Sequence, residues 1–538
     1  MTSLSVIRSS VPDLEAMEAA LLRHPAVKSV SLKTNEAGVT ISIVPDLDCA
    51  EIEREQLARW REVYEESFSG GDATDMLHGW TSSYTGEPLP RKDMEEWVTT
   101  TVDRILELKP RHVVEIGSGT GLLVDRIAPH TESYVAIDAA AACQDRLSAL
   151  IRNRPDLTHV RQIVADAADL PTDLRADTVI LNSIVQYFPN AAYLTRVLER
   201  ALGWMTEGTI FIGDIRDLRS LSHFYNSLAR HCGLSSPEAV SHFVAERSES
   251  EEELAVDPIF FHKLSKQLSQ IRNVRPILKR GRCQNELNSY RYDVQIHVGT
   301  ANSQALDSPQ VVNFESLTEL RRKIDSYDRD SMACLTLLRQ RNKRLVTKRW
   351  PNAADAVDPE DVFALGAALG YRVDVVPSND LERFDALFYR GQPPQATWKI
   401  PLADHPLTND PALPLARSLL PSLLRHYLDQ QGLLKDTDVF IQVGTREDRS
   451  AEIIQRSATD DSVEARLTAL WRECLQHPSI DADDDFFACG GSSLLLMQLR
   501  KRITDGFSVS VPMSVFARGA TPRVIAGFVQ EAISKSGV

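Results

Sequence analysis

Residues 113–121 read VVEIGSGTG: an apolar strand runs into Glu115, then into glycines at 117, 119 and 121, before the helical stretch LLVDRIA. No other feature limits the fold as much, because glycines alternating behind a strand let the backbone turn sharply and approach a ligand closely. A dinucleotide loop spaces them G-x-G-x-x-G beneath a pyrophosphate. Here the third glycine comes two residues after the second and Leu122 fills the other position, so the spacing favours a cofactor without a pyrophosphate. The next apolar run, YVAID, ends in Asp138, nineteen residues after Gly119, where a carboxylate can accept both hydroxyls of a ribose. The run after it, QIVADA, brings Asp166 and Ala167 to the corresponding strand end, with Asp166 suited to the exocyclic amine of an adenine.

Around this loop, residues 94–298 alternate helical and apolar segments: MEEWVTTTVDRILEL, HVVEIG, LLVDRIA, SYVAID, CQDRLSALI, QIVADA, DTVILNSIV, YLTRVLERALGWM and GTIFIGD. Strands followed by amphipathic helices in this order predict an α/β domain, a parallel sheet with helices on both faces. Ahead of it, residues 12–45 read as one helix and two short strands, too little to stand alone. Residues 60–86 are dense in Trp, Tyr, Gly and Ser, which suits a lid or pocket wall and equally an ordered surface loop. Residues 300–400 read as a more helical and irregular appended segment, and residues 443–462 as a polar linker or a frayed helix. From Val463 onwards three helical patterns predict a small bundle.

At 538 residues the chain is too long for one ordinary domain and predicts three or four. Sixty Lys and Arg against 75 Asp and Glu leave a net charge of −15, which speaks against gripping a phosphate backbone or an anionic lipid surface. Neither nucleic acid nor membrane is therefore an expected partner. The seven cysteines are scattered without a CxxC pair, so no metal site or redox pair is expected and the thiols read as reduced and buried. MTSLSVIRSSVPDLE lacks the apolar core of a signal peptide, and no run of about 18 apolar residues appears, so the expectation is a soluble, cytoplasmic protein.

E-x-G-x-G-x-G, an acid ending the second strand and an acid ending the third together resemble the class I S-adenosylmethionine-dependent methyltransferases. Longer runs extend the likeness: WTSSYTGEPLP (80–90), NSIVQYFPNAAYL (182–194), FIGDIRDLRSL (211–221), EEELAVDPIFF (251–261) and LKRGRCQNELNSYRYDVQIHVG (278–299). These look like the methyltransferase domain embedded in adenylation domains of nonribosomal peptide synthetases. EAALLRHPAVKSVSL is similar to the small C-terminal subdomain of an adenylation domain. DDDFFACGGSSLLLMQL (483–499) resembles the phosphopantetheine attachment motif of peptidyl carrier domains, in which the modified residue would be Ser493. There Gly490 and Gly491 would form a turn, and the start of the following helix would favour a phosphodiester. Nothing resembles the large adenylation subdomain, and residues 411–450 lack the Gly-Lys that supplies its catalytic lysine; LLKDTDVFIQVGTREDR stands in that place.

The resemblance implies an α/β chain in three bodies: a class I, Rossmann-like methyltransferase, a small α+β remnant of the adenylation subdomain into which it is inserted, and an all-α carrier four-helix bundle. The remnant would occupy residues 1–50 and 406–445, the methyltransferase core with its N-terminal lid 51–300, an accessory segment 301–405, a linker 446–460 and the carrier 461–538. S-adenosylmethionine would be held by Glu115, Gly117, Gly119, Gly121, Asp138, Asp166, Ala167 and Asn182, and 4'-phosphopantetheine by Ser493. The implied reaction is N-methylation of an aminoacyl or peptidyl thioester on the chain's own carrier. A separate adenylation domain or protein, a phosphopantetheinyl transferase and downstream synthetase modules would be its partners. O- or C-methylation, and a carrier scaffold with a silent methyltransferase, stay open. Tyr84, Gln186, Tyr187 and Glu286 are the candidate catalytic residues, with Glu253 a further proton acceptor. At least two of Glu251, Glu252 and Glu253 read as a solvated helix face. Trp80 and Tyr84 either face the sulfonium or fill a core.

Overall fold

The computed structural model describes residues 13–35, 38–69, 77, 80–167, 169–299, 310–312, 316–325, 335–345, 356–378, 380–390, 405–434, 439–444, 462–475, 480–484, 486, 489, 493–507, 509, 511, 513–516 and 520–536. The chain opens with the helix Leu14–Leu21, capped by Asp13, whose side chain accepts from the Ala16 amide at 3.0 Å. A hairpin follows, β1 (Val27–Asn35) and β2 (Gly38–Pro45). In β2 the period-two pattern buries Val39, Ile41 and Ile43 and leaves the intervening residues half-buried.

The central sheet has eight strands: β3 (His112–Ile116), β4 (Ser133–Asp138), β5 (Val160–Val164), β6 (Thr178–Asn182), β7 (Gly208–Asp217), β8 (Ala255–Val256), β9 (Ile271–Leu278) and β10 (Arg291–Val298). Their order is β5-β4-β3-β6-β7-β10-β9, with β8 beside the end of β7. Strands β3 to β7 run parallel and β10 runs antiparallel to both its neighbours. All five residues of β6 are buried, as expected of a parallel strand covered on both faces. The covering helices present one apolar stripe each; in Ala191–Leu202 it is Tyr193, Leu194, Val197, Leu198, Ala201 and Leu202. Strand order reverses between β3 and β6, the switch point at which doubly wound sheets hold their ligands.

Beyond β10 the fold departs from the irregular, helical segment expected of residues 300–400. Strands β11 (Gln310–Val312), β12 (Leu335–Arg341), β13 (Arg372–Pro377) and β14 (Arg383–Tyr389) form a mixed sheet in the order β11-β12-β14-β13, with helices Leu317–Asp325 and Pro359–Ala368. Apolar runs as short as VDVV or DALF do not distinguish strand from helix by periodicity; their non-local partners decide. Arg275 of β9 ties this sheet to the central one through a buried ion pair with Asp374 of β13 and a 2.8 Å bond to the Tyr389 hydroxyl.

The chain then returns to its beginning. Strand β15 (Val439–Val443) lies parallel to β2, from Val439 opposite Val39 to Val443 opposite Ile43. The helix Leu413–Gln430 places Leu415, Leu420, Leu424 and Leu428 in one core with Met17, Leu21, Ile41 and Ile43. Neither end could bury its apolar face alone, and a long insertion between two halves adds little closure entropy. The C-terminal body packs helices Val463–Leu475, Ser493–Phe507, Met513–Phe516 and Pro522–Ser536 around Trp471, Phe486, Ile503 and Ile525. Residues 445–461, including the expected linker, and Gly490 and Gly491 lie outside the described residues. Among the described residues no helix is long and apolar enough to cross a membrane, and Cys49, Cys143, Cys232, Cys283, Cys474 and Cys489 are free thiols.

Candidate functional site

A cavity of about 430 Å³ opens beyond the carboxyl ends of the parallel strands. The loop after β3 floors it with Gly117 at φ 78° and Gly119 at φ 52°. A Cβ on Gly117 would stand 2.4 Å from Ile184 Cδ1, whereas one on Gly119 meets nothing within 4 Å. Gly121 is outside the lining; the space of its missing Cβ is taken by Leu147 at 2.6 Å, which lets the loop pack onto the helix Ala141–Arg152. Asp138 locks the loop from β4: one oxygen accepts the Gly119 amide at 2.8 Å and the other the Ala140 amide at 2.9 Å. Glu115 is buried at the end of β3, where it accepts the Tyr134 hydroxyl at 2.8 Å. Burial pushes its carboxyl up to about 8, with Asp138 adding to the rise and the Tyr134 bond opposing it.

Asp166 accepts the Tyr193 hydroxyl at 2.5 Å, and Ala167 continues the same wall. Asn182 and Gln186 follow from β6, and the side-chain oxygens of both are buried with no hydrogen-bond partner among the described residues. The indole N–H of Trp60 is equally unmatched in the same lining. A buried polar atom left without a partner costs about 1–3 kcal/mol, so three in one cavity point to a polar ligand.

The other half of the cavity is charged. Arg216 of β7 donates to Glu251 at 2.8 Å and to Glu253 at 2.6 Å, and the Tyr225 hydroxyl donates to Glu251 at 2.6 Å. Arg291, opening β10, donates to Asp214 at 2.6 Å. Glu286 accepts from the Ser83 amide at 3.0 Å and hydroxyl at 2.8 Å, and burial raises its carboxyl pKa. One wall is the helix Ala50–Ser69, whose Trp60 and Tyr64 rings lie 4.5 and 5.3 Å from that of Tyr187. Glu65 of this helix accepts the Ala141 and Ala142 amides at 2.5 and 3.0 Å, a carboxylate at a helix N-terminus. Burial, then Glu253, pushes the Tyr187 hydroxyl up to about 12.

The family described as "Methyltransferase domain" matches residues 114–211, and the one described as "Phosphopantetheine attachment site" matches residues 465–529. The chain carries a methyltransferase domain and a phosphopantetheine carrier domain. Its curated relatives are nonribosomal peptide synthetases. The chain is 31% identical to the chondramide synthase of Chondromyces crocatus, over 93% of its own length and 15% of that protein's. A probable non-canonical nonribosomal peptide synthetase of Salinispora arenicola is also 31% identical, over 90% of the chain and 6% of the relative. The beauvericin nonribosomal cyclodepsipeptide synthetase of Beauveria bassiana is 32% identical over 56% of the chain and 10% of its own length. The chain thus spans a small part of each relative's length.

S-adenosylmethionine is the methyl donor of the methyltransferase domain and 4'-phosphopantetheine the prosthetic group of the carrier domain. The cavity fits the donor: a loop that admits close backbone approach at Gly119, acids at three successive strand ends, and the unmatched oxygens of Asn182 and Gln186. Of the residues singled out from sequence, Glu115, Gly117, Gly119, Asp138, Asp166, Ala167, Asn182, Gln186, Tyr187 and Glu286 line this one cavity. Tyr84 does not. Its hydroxyl bonds Ser227 at 3.2 Å and its ring packs edge-on against Phe224 and His231, while its neighbour Ser83 lines the cavity instead. Trp80 lines the cavity and packs against Trp97, 4.8 Å between centroids.

Glu251 and Glu253 are turned inward by Arg216 rather than lying on a solvated helix face, and Trp60 belongs to a 20-residue helix rather than to a loop. Sequence reading missed Arg216, Arg247 and Arg291, since nothing in their spacing marks an arginine for a cavity. Ser493 opens the helix Ser493–Phe507 of the carrier domain.

The raised pKa of Glu115 carries a pH signature. The carboxyl titrates near 4.5 when unperturbed and at about 8 when folded, so the folded chain holds the extra proton. That contribution to stability is complete below 4.5 and is lost as pH rises to about 8. In Glu115→Gln the fall in melting temperature between pH 5 and 8.5 shrinks by roughly 3 °C or more, read by differential scanning calorimetry without donor. An unchanged pH profile would contradict the assignment.

Proposed function

We propose that the methyltransferase domain N-methylates an aminoacyl or peptidyl group held as a thioester on Ser493 of the chain's own carrier domain. The observation that carries the reading is the seat of the carrier. Arg247, which lines the cavity, donates to the carbonyl of Cys489, four residues before Ser493. Lys501 of the carrier pairs with Glu62 of the wall helix at 2.5 Å. A thioester on this carrier is delivered to the cavity floored by the glycine loop, and tethering raises its local concentration to about millimolar.

S-adenosylmethionine supplies an electrophilic methyl group. The residues of the chain hold the nucleophile in line and accept its proton. A free α-amine has a pKa near 7.7–8.0, so roughly a tenth is neutral at pH 7 and a strong base is unnecessary. Glu286 suits the role of acceptor, since Glu251 and Glu253 are committed to Arg216 while Glu286 is held only by the Ser83 amide and hydroxyl among its described bonds. Tyr187, whose hydroxyl stays protonated at neutral pH, orients the amine by hydrogen bonding. We assign adenylation to a separate domain or protein, because the sequence holds no ATP-phosphate loop, and attachment of the arm to a phosphopantetheinyl transferase.

The test converts the full chain to its pantetheine form, loads an α-aminoacyl group, adds S-adenosylmethionine and follows the arm by intact-protein and fragment mass spectrometry. The expected product is one added CH2 on nitrogen. Methyl found on oxygen or carbon overturns the N-assignment, and no gain with any amino acid overturns the reading. Glu286→Gln slows transfer roughly tenfold at pH 7 and little at pH 9, where the amine is already neutral. An equal loss at both pH values takes Glu286 off the path of the proton.

A further inference from the structure

We infer that Arg247 is the receptor for the phosphodiester of the carrier's arm, a site at the mouth of the cavity for a tethered phosphate. The inference rests on the carrier-delivery reading above and adds to it the group that recognises the arm. Arg247 sits near the end of the helix Pro237–Glu249 and is 8% exposed. Arg104, Arg275 and Arg344, equally buried, each have a carboxylate within ion-pair distance, and so do the cavity residues Arg216 and Arg291. Among the described residues Arg247 has none. Its contacts are the Cys489 carbonyl and the face of Phe243, 5.5 Å from guanidinium carbon to ring centroid.

A guanidinium taken out of water without a counter-ion in contact is costly; burial lowers the pKa of Arg247, and Glu246, its neighbour in the helix, opposes this only from beyond ion-pair distance. An anion supplied by a ligand removes that cost. The contact with Cys489 states which anion comes near. The chain from Cys489 to Ser493 spans at most about 14 Å, so a group esterified to Ser493 starts within one arm's length of Arg247. The first group of the arm is a phosphodiester with one negative charge, which matches one guanidinium in charge and offers two oxygens to its planar fork. Arg247 also lines the cavity, so it marks the point where the arm turns inward.

The experiment uses the full chain carrying Ser493→Ala, which receives no arm of its own, and titrates it by calorimetry with 4'-phosphopantetheine and with pantetheine. The phosphorylated compound binds roughly tenfold or more tightly, the worth of one charge-assisted pair. Arg247→Met keeps the packing of the stem and erases the difference; Arg247→Lys, which keeps the charge and loses the fork, retains part of it. Thermal unfolding of both variants shows that the fold is kept. Equal affinities in the Ser493→Ala background, no binding of the phosphorylated compound, or a difference that survives Arg247→Met overturns the proposal. None of these readouts needs methyl transfer. A chain that discriminates phosphate through Arg247 yet leaves a loaded amine unmethylated refutes the methylation reading alone, and methylation with no such discrimination refutes this one alone.

Discussion

Asp138→Ala lowers affinity for S-adenosylmethionine about a hundredfold or more. A carboxylate has about four lone-pair sites; in Asp138 one oxygen takes the Gly119 amide at 2.8 Å and the other the Ala140 amide at 2.9 Å, with the Ala139 amide also contributing. Asp138 lines the cavity at the distance along the chain where a ribose diol is expected, and both of its oxygens can accept from one. Two hydrogen bonds to a charged acceptor are worth about 1.5–3 kcal/mol each, and 1.4 kcal/mol is tenfold in affinity. The substitution also frees the Gly119 amide and slackens a loop whose positive φ is held in place by that bond. Asp138→Asn keeps one acceptor oxygen and falls in between. Burial raises the pKa of Asp138 while the amides oppose the rise, so donor affinity declines as pH falls through that pKa. Calorimetric titration reads all three. A loss below about fivefold in Asp138→Ala removes this carboxylate from the donor site.

Asp214→Ala destabilises the central domain by roughly 3–5 kcal/mol, the cost of breaking a buried ion cluster from one side. Asp214 is 0% exposed and accepts from Arg291 at 2.6 Å, Ser183 at 2.9 Å and the Trp97 indole at 3.1 Å, with Lys279 at 3.5 Å. Asp293 beside it pairs with Lys279 at 3.0 Å and with Arg104. Two carboxylates therefore balance three cations, and the substitution leaves three against one. Burial alone would raise the pKa of Asp214, but Arg291 and Lys279 hold it below the usual range. Its contribution is accordingly present at neutral pH and lost only as pH falls through that lowered pKa. The backbone adds to the effect. Ser183 at φ 56° and Asp214 at φ 65° occupy the left-handed region, which aspartate tolerates better than alanine. The expected fall in melting temperature is roughly 10 °C, and donor affinity falls with it because Ser183 and Arg291 line the cavity. A change below about 1 kcal/mol would mean that the cluster contributes to neither stability nor shape.

Much of the cofactor half of the site is local in sequence. Glu115, Gly117 and Gly119 sit on one strand and its turn, and Asp138, Asp166 and Asn182 each end the next apolar run in order. A parallel sheet brings successive strand ends to one edge, so order along the chain becomes proximity in space. The substrate half has no such rule. Arg216 and Glu251 meet across 34 intervening residues, Ser83 and Glu286 across about two hundred, and Arg247 and Cys489 from different domains. Tyr84 shows the limit at single-residue scale: it and Ser83 are adjacent, and only packing against Phe224 decides which of them faces the cavity.

By itself the sequence determined the periodicities, the glycine turn and the serine behind the carrier's acidic lead-in, because each depends on neighbours within a few residues. The resemblance already joined residues 1–50 and 406–445 in one body, and residues 14–45 and 413–443 share one core; tertiary structure alone decided that residues 310–389 contain a sheet and that Glu251 and Glu253 turn inward onto Arg216. In each case the deciding term is a partner far along the chain, either an apolar face that needs covering or a charge that needs its opposite, and no local pattern records where that partner is.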